Sequence, residues 1–433
     1  MTTAISSGAN AAPWKRIWLR AVAGLPLSGL GGWVLCVLLA IDVISVTKAT
    51  DFSIRNMTGE YWLVWLLVVA VELLLAGCLV ARFRPDARLL RPVEVIAILA
   101  VTAMVMTDVT MMWAPLRDLG IYLKAGNHYL AGSPVYMSAA ITAAPADPKD
   151  LPYLYPPFTL PVFGALAILP QRLAEVVWSL GSVGLAIFAL RRIGLPGRLA
   201  VLALLWPPIF VGVWVGNVAV PALALFAIGP WLGSGLVLGA AFKSYTGLAS
   251  LWLVRERRWV ELGTGIALLL ILAALTMPLV GVDLWFKWLA ALGWYQKSQD
   301  YLPGLYGFGL VRYVPFVLYL AASAAAVLAA FLVRGRESLA RFGTATIVAS
   351  PSLFGHGLLV AVPSLLSLRS PWLWLALGLL STPQNPHWLL AVGLILLSWV
   401  VPGMRRQPQA DLAVNEPLHP LGAGGEVWPD TAS

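Results

Sequence analysis

Long apolar runs constrain this chain more than any other feature of its sequence. A transmembrane helix needs about 20 consecutive apolar residues, whereas strands that cross a membrane alternate apolar and polar side chains over about ten residues. The runs here are continuous, and helices satisfy all their backbone hydrogen bonds inside lipid. Runs near or above the required length lie at 22–46, 61–81, 93–115, 234–253, 260–280 and 313–333. They predict a polytopic, all-α membrane protein.

The scarcity of charged residues agrees with this fold class. Of 433 residues, 60% are hydrophobic and 11% are charged, whereas soluble chains carry about 25% charged residues. This composition excludes a soluble enzyme, a disordered chain and a nucleic-acid-binding domain, despite a net charge of +9. Cys36 and Cys78 both lie in apolar runs, where a free cysteine packs as a small hydrophobe. Neither a disulfide framework nor a metal site is predicted, and no cofactor is expected.

Shorter apolar runs raise the predicted number of transmembrane helices to about 12–14. Each of them falls short of the membrane thickness, so it must be tilted, broken or shielded by its neighbours. These runs lie at 156–170, 173–190, 198–214, 218–230, 342–355, 357–368, 371–382 and 387–402. Residues 1–21 are predicted to form a cytoplasmic N-terminus. Residues 405–433 are rich in Pro, Gly and acidic residues, and are predicted to form a disordered cytoplasmic tail.

Basic residues predict which side of the membrane each loop faces, because cytoplasmic loops carry an excess of Lys and Arg. If the loops rich in basic residues are assigned to the cytoplasmic side, two long loops lie on the outer side, at 116–155 and 281–312. One basic loop does not fit this assignment. If every short run crosses the membrane, the loop that contains Arg191, Arg192 and Arg198 lies outside. Either a short run between 156 and 230 is re-entrant, or the rule fails there. The loops threaded inside contain Lys15, Arg16, Arg20, Arg82, Arg84, Arg88, Arg91, Arg255, Arg257, Arg258, Arg334, Arg336, Arg341, Arg405 and Arg406.

The first outer loop opens on an aspartate that is suited to proton abstraction. Asp118 lies three residues after Pro115, where the third long run should leave the membrane. A carboxylate at such an apolar boundary is partly desolvated, which makes it a stronger base. Residues 119–131 carry apolar side chains at helical spacing and predict an interfacial helix. The alternative is that Asp118 is an ordinary solvated loop acid.

Three segments of the sequence share a pattern with a known family. They are the loop residues Asp118, Leu119, Tyr122, Ala125, Gly126, Leu130, Gly132 and Tyr136 with the ending Tyr155-Pro156-Pro157-Phe158, the segment Gly239–Thr246, and the segment Ala349–His356. Together they resemble glycosyltransferase family 87 of the GT-C superfamily, over roughly residues 93–365. The third segment departs from the family pattern, because Phe354 stands where the family has Trp and one of two His positions is filled.

The resemblance implies an inverting, membrane-bound glycosyltransferase with a GT-C-type bundle. Family 87 includes mycobacterial mannosyltransferases that elongate phosphatidylinositol mannosides and lipoglycans. The expected reaction moves a hexose, mannose in particular, from a polyprenyl-phosphate donor to a lipid or glycan acceptor. It would take place on the extracytoplasmic face of a bacterial-type cell membrane. Residues 93–404 would form the catalytic domain, and residues 22–92 an additional pair of amino-terminal helices.

The resemblance also implies roles for individual residues. Asp118 would be the catalytic base, and Lys243 and His356 would bind the donor phosphate. Lys243 lies in the middle of a predicted span, where a cation indicates function, although it could snorkel from a misplaced helix end. His356 has the alternative role of a satisfied core histidine. Contacts to the substrates, including acceptor contacts from the second outer loop, are predicted for Arg117, Tyr122, His128, Tyr155, Gln299 and Asp300. Arg117 could instead only hold Asp118 ionised, and His128 could equally face the lipid headgroups.

Two other classes of function compete with this interpretation. A lipid-linked sugar transporter or flippase would be expected to show repeat symmetry and paired interrupted helices in both halves, and the sequence has no evident repeat. A membrane scaffold without activity would leave Asp118, Lys243 and the Tyr155-Pro156-Pro157 turn unexplained. The expected partners are therefore membrane lipids, the sugar donor and the acceptor, and no nucleic acid.

Overall fold

The computed structural model of the chain describes residues 115–136, 152–297, 309–380 and 387–405. Predictions for residues 1–114 and 406–433, including the amino-terminal pair of spans and the tail, lie outside these ranges. Within the ranges the chain is helical and forms no strands, although an isolated bridge joins Leu368 to Arg405. The all-α prediction is therefore confirmed for this part of the chain.

The α-helices of the described residues are numbered here in chain order. They are α1 (Arg117–Leu130), α2 (Leu160–Ala167), α3 (Gln171–Ile193), α4 (Gly197–Leu202), α5 (Pro207–Trp214), α6 (Ala219–Ile228), α7 (Ser234–Phe242), α8 (Leu251–Arg255), α9 (Trp259–Val280), α10 (Val282–Lys297), α11 (Phe316–Phe331), α12 (Gly335–Ala349), α13 (Val362–Leu366), α14 (Ser370–Leu379) and α15 (His387–Val400). Short 3-10 helices lie at Pro157–Thr159, Ala203–Leu205, Ser244–Ser250, Leu310–Arg312, Gly355–Ala361 and Pro402–Met404.

Two of the described helices are long and apolar enough to cross a membrane. They are α3 with 23 residues and α9 with 22 residues, and a helix of that length spans about 33 Å. Shorter apolar helices of 10–17 residues lie at Pro157–Ala167, Ala219–Ile228, Phe316–Phe331, Gly355–Leu366 and Trp388–Val400. The total of about 12–14 spans stays a prediction.

The predicted span 234–253 is broken in the structure. Its α-helix ends at Phe242, and Lys243 is extended, with φ −143° and ψ 110°, before a 3-10 helix begins. The hydroxyl of Thr246 donates to the Lys243 carbonyl oxygen at 2.6 Å and stabilises the break. The prediction that Lys243 lies in the middle of a helix is therefore wrong, because it lies at the point where the helix ends.

Segments that are far apart in sequence meet at one end of α9, called here the site end. Val280, the last residue of α9, packs in the same buried cluster as Tyr122 of α1. The hydroxyls of Tyr295, in α10, and Ser352, after α12, lie 3.4 Å apart. The segment 281–312, predicted as a loop, thus begins with a helix that packs against the first outer loop.

Arginines gather at the opposite end of α9, called here the basic end. Arg258 donates to the two carbonyl oxygens of the turn 229–230, at 3.3 and 3.1 Å. The guanidinium carbons of Arg192 and Arg336 lie 5.1 and 5.5 Å from the ring centre of Trp231. Both distances are in the range of cation–π interactions. Three basic segments that are distant in sequence therefore share one end of the molecule.

This arrangement bears on the loop of Arg192, whose side was ambiguous from the sequence. Helix α2 has eight residues, so it is about 12 Å long and too short to cross a membrane. Helix α3 then runs from the site end, where the Trp178 indole donates to the Gly216 carbonyl oxygen at 2.9 Å, to the basic end at Arg192. The structure therefore places Arg192 at the same end of the molecule as Arg258 and Arg336, as expected if a short run is re-entrant, and the membrane side of that end stays a prediction.

A glycine lets α1 pack directly on α2. A Cβ atom at Gly126 would overlap the backbone carbonyl of Phe163 in α2. The buried face of α1 carries Leu119 and Tyr122, which pack with Phe163 in one apolar cluster. The helix predicted at 119–131 is present and begins at Arg117, two residues earlier than predicted. That earlier start places Asp118 in the first turn of α1.

Candidate active site

The backbone around Asp118 is fixed by the turn between α5 and α6. Leu116 adopts the left-handed conformation, with φ 54° and ψ 26°, which costs about 1–3 kcal/mol for a residue with a side chain. Its N–H donates to the Trp214 carbonyl oxygen at 2.7 Å, and the N–H of Asp118 donates to the Val215 carbonyl oxygen at 2.8 Å. These two bonds hold the start of α1 in place despite the strain.

The side chain of Asp118 is buried and carries three hydrogen bonds or ionic contacts. The residue is 5% exposed. Nε and Nη2 of Arg117 lie 2.9 and 2.8 Å from Oδ1 of Asp118, and Nδ2 of Asn217 donates to Oδ2 at 2.5 Å. A buried carboxylate needs such partners, because desolvation of an uncompensated charge is costly. The alternative of an ordinary solvated loop acid is therefore wrong.

Asn217 is a site residue that the sequence analysis missed. It is 4% exposed and follows Gly216, which has φ +70° and makes a tight turn between α5 and α6. A Cβ atom at Gly216 would lie 2.9 Å from Cβ of Leu119, so glycine permits the close approach of α1. The signal in the sequence was a Gly-Asn pair between two short apolar runs, which is typical of a turn.

A pair of tyrosines lies beside Asp118. The hydroxyls of Tyr122 and Tyr155 are 3.0 Å apart, and the Tyr122 hydroxyl accepts from the N–H of Val218 at 3.5 Å. Burial raises the pKa of both hydroxyls, and the charge of Asp118 adds to this effect. Both tyrosines therefore stay protonated at physiological pH and can act as hydrogen-bond donors. The structure brings these two predicted substrate-binding residues together.

Lys243 and His356 lie at the same site end. Lys243 interacts electrostatically with Asp118, and His356 interacts with Lys243 and Arg117. The His356 ring stacks on Phe354, with ring centres 5.6 Å apart and planes inclined by 11°. His356 is 4% exposed, and among the described residues its Nδ1 has no hydrogen-bond partner. This unsatisfied nitrogen argues against the alternative of a satisfied core histidine.

One of the predicted substrate-binding residues, His128, does not join this group. His128 lies ten residues after Asp118 on α1, about 15 Å along the helix. Its Nδ1 is 2.9 Å from the Pro134 carbonyl oxygen, so the structure separates it from the other site residues. Gln299 and Asp300 lie outside the described residues, and their roles stay predictions.

Metal-binding side chains do not cluster in the described ranges. No group of three or more His, Cys, Asp or Glu residues in these ranges could hold a metal ion. The arrangement around Asp118 instead consists of one carboxylate, two cations, an imidazole, an amide and two phenols. Such a set can accept a proton at the carboxylate and can bind an anion at the cations and the imidazole.

Two comparisons with known proteins bear on this site. The sequence profile of Glycosyltransferase family 87 matches residues 153–353, a segment that contains Tyr155, Asn217 and Lys243. A Mycolicibacterium smegmatis protein, the polyprenol-phosphate-mannose-dependent alpha-(1-2)-phosphatidylinositol pentamannoside mannosyltransferase, is 26% identical over 222 residues. The alignment covers 47% of this chain and 52% of that protein, so the chain spans about half the length of the relative it matches.

No solved structure matches the chain. The likeness therefore rests on the sequence profile and on the mycobacterial relative. The profile includes the Tyr155–Phe158 ending of the loop and the segment Gly239–Thr246, and it ends within the segment Ala349–His356, whereas the loop residues 118–136 precede it. The resemblance of this chain to glycosyltransferase family 87 is thus confirmed, with the profile of that family matched over residues 153–353.

Proposed function

We propose that the chain is an integral-membrane glycosyltransferase that moves mannose from a polyprenyl-phosphate donor to a lipid or glycan acceptor. The observation that carries this proposal is that Lys243 interacts electrostatically with both Asp118 and His356 at the site end, which supports the roles of a base and of two phosphate-binding groups. The family match and the named donor of the mycobacterial relative support the choice of donor. That relative acts on a phosphatidylinositol mannoside, which supports a lipid acceptor.

Asp118 acts as the general base in this reaction. Its carboxylate takes the proton of the acceptor hydroxyl while the acceptor oxygen bonds to the anomeric carbon of the donor sugar. The bond between that carbon and the phosphate oxygen breaks, and its electron pair leaves with the phosphate. The products are the extended acceptor and polyprenyl phosphate. A single displacement inverts the anomeric centre and needs one carboxylate, whereas most glycoside hydrolases use two.

Lys243 and His356 stabilise the leaving phosphate. Negative charge grows on the phosphate oxygen as the bond to the sugar breaks, and preorganised donors at that point lower the barrier. Lys243 supplies a positive charge at the break after α7. His356 supplies a buried ring nitrogen that has no partner among the described residues. A phosphate oxygen placed beside them would accept from the His356 ring and would add an anion to the Lys243 charge.

The site end faces the extracytoplasmic side in this proposal. The basic end contains Arg192, Arg258 and Arg336, and cytoplasmic ends of membrane proteins are rich in arginine and lysine. The opposite end, with Asp118, then opens to the outer face of a multi-pass protein in a bacterial-type cell membrane. A donor anchored by its polyprenyl chain would reach Asp118 from the outer leaflet.

An assay that compares three sugar donors tests the proposed reaction. The purified chain is reconstituted in lipid vesicles with a mycobacterial lipid extract as acceptor. It is then given radiolabelled polyprenyl-phosphate mannose, polyprenyl-phosphate glucose or GDP-mannose. We expect label in the lipid fraction from polyprenyl-phosphate mannose and none from GDP-mannose. Transfer from the nucleotide sugar alone, or from none of the three, would contradict the proposal. Empty vesicles are the control.

A further inference from the structure

The two carboxylate oxygens of Asp118 differ in how many donors they already have. Oδ1 accepts from Nε of Arg117 at 2.9 Å, and Nη2 of the same guanidinium forms an ion pair with it at 2.8 Å. Among the described residues, Oδ2 accepts from one donor, Nδ2 of Asn217, at 2.5 Å. A carboxylate oxygen has about two lone-pair sites. Oδ1 is therefore engaged by the Arg117 guanidinium, whereas Oδ2 has room for a second donor beside its one partner among the described residues.

The amide of Asn217 is itself fixed in orientation. Its Oδ1 accepts from the N–H of Ala219, the first residue of α6, at 2.8 Å. The backbone N–H of Asn217 donates to the Gly212 carbonyl oxygen at 2.9 Å. Because the carbonyl oxygen of the amide is engaged by α6, its NH2 group must face Asp118. The amide also lies beside the Tyr155 hydroxyl.

We infer that Asn217 is a positioning residue, which orients Asp118 so that Oδ2 is the atom that accepts the proton of the acceptor hydroxyl. This inference rests on the proposed function. The acceptor O–H bond breaks, its proton goes to the free lone pair of Oδ2, and the acceptor oxygen keeps the electron pair with which it bonds to the anomeric carbon. Asn217 does not touch the reacting atoms. It acts by occupying one site on Oδ2 and by preventing rotation of the carboxylate.

A purely structural role for Asn217 is the competing explanation. Its side chain satisfies one of the first N–H groups of α6, which would otherwise lack a partner. Two substitutions separate the roles. Asn217→Asp and Asn217→Ser both keep an oxygen that can accept from the Ala219 N–H. Asn217→Asp places a second carboxylate against Oδ2, whereas the shorter serine leaves Oδ2 without its donor.

The test compares pH profiles of kcat/KM for transfer from polyprenyl-phosphate mannose. With Asn217→Asp, we expect the acidic limb to move to higher pH by about one unit or more, because a like charge favours protonation. With Asn217→Ser, we expect kcat to fall by about ten- to a hundredfold, with the KM for the donor unchanged. Asn127→Ser on α1, where Asn127 is exposed, is the matched control and should behave as wild type.

Two results would overturn the inference, and they are distinguishable. If both Asn217 variants keep the wild-type pH profile and kcat and lose only thermal stability, the Asn217 side chain only stabilises the start of α6. If Asp118→Asn transfers mannose at the wild-type rate in the same assay, the proposed base is wrong, and the inference fails with it. Loss of transfer in Asp118→Asn, with a shifted pH profile in Asn217→Asp and a lower kcat in Asn217→Ser, supports both the proposed base and the positioning role of Asn217.

Discussion

At the scale of residues, the charge of Asp118 is compensated by the residue that precedes it in the chain. The contacts from Arg117 need no long-range folding event, because they join adjacent residues. The contact from Asn217 joins positions 99 residues apart and forms only when the α5–α6 turn reaches α1. Removing one partner from a buried charge is strongly destabilising. Burial of a carboxylate at the start of α1 therefore depends on both partners.

Replacing Lys243 tests whether it binds the donor phosphate. A hydrogen bond to a charged group contributes about 1.5–3 kcal/mol, so Lys243→Met should weaken donor binding by about tenfold or more. The measurement is the Kd of polyprenyl phosphate for the purified protein. Lys124→Met, at an exposed position of α1, is the control and should bind normally. If the affinity for the donor is unchanged and the unfolding temperature is lower, Lys243 stabilises the fold and does not bind the donor phosphate.

The individual site residues could be predicted to different degrees. Asp118, Tyr122 and Tyr155 belong to the loop pattern and Arg117 directly precedes it, and the structure brings the four together. Asn217 could not be predicted, because its partner is distant in sequence and a Gly-Asn pair indicates only a turn. His128 carries a plausible functional group, but its place along α1 is ten residues from Asp118.

At the scale of elements, the contact between α1 and α2 positions Asp118, and a substitution at Gly126 tests this. A Cβ atom there would overlap the Phe163 carbonyl, and overpacking of this kind costs about 1–3 kcal/mol. Gly126→Ala should lower the unfolding temperature and reduce transfer, because α1 must move away from α2. The measurements are thermal unfolding in detergent and the rate of mannose transfer.

The matched control lies on the same helix. A Cβ atom at Gly120 would have nothing within 4 Å. Gly120→Ala should therefore stabilise α1 slightly, by about 0.5–1 kcal/mol, as is usual when alanine replaces glycine within a helix. Equal unfolding temperatures for the two variants would show that α1 and α2 are not packed as closely as described.

The breaks in the helices were harder to predict than the helices themselves. The run 260–280 is a single helix although it contains Gly263, Gly265 and Pro278, because its long apolar stretch favours an uninterrupted helix. The run 234–253 breaks at Lys243. The polar residues that follow Lys243 include Thr246, whose hydroxyl donates to the Lys243 carbonyl oxygen, and hydrophobic periodicity alone does not reveal such a break.

At the scale of the whole molecule, the account predicts opposite membrane faces for the two ends of α9. Cys36 and Cys78 are the two native cysteines, so a variant with both replaced by alanine gives a background for labelling. Single cysteines at Lys124 and Arg191, which are both exposed, report the site end and the basic end. We expect an impermeant maleimide added to whole cells to label position 124, and position 191 only after lysis. Labelling of both from outside would contradict the arrangement.

The fold class follows from composition and run length, whereas the course of the chain does not. A charged fraction of 11% predicts a membrane protein, and continuous apolar runs of helical length predict that it is all-α. The end of the molecule at which Arg192 lies could be assigned only from the structure, because the sequence does not distinguish the short apolar helix α2 from a short span. The packing of Arg192 and Arg336 on Trp231 supplies that information.

The central claim, that Asp118 is the catalytic base, is tested most directly by Asp118→Asn. Asparagine keeps the size of the side chain and most of its hydrogen bonds, but it cannot accept the proton. The measurement is radiolabelled mannose transfer from polyprenyl-phosphate mannose in membranes with matched expression, together with donor binding. A general base contributes about 10²–10⁴-fold to the rate, so transfer should be abolished while the donor still binds. Activity above about a tenth of the wild-type value would contradict the account.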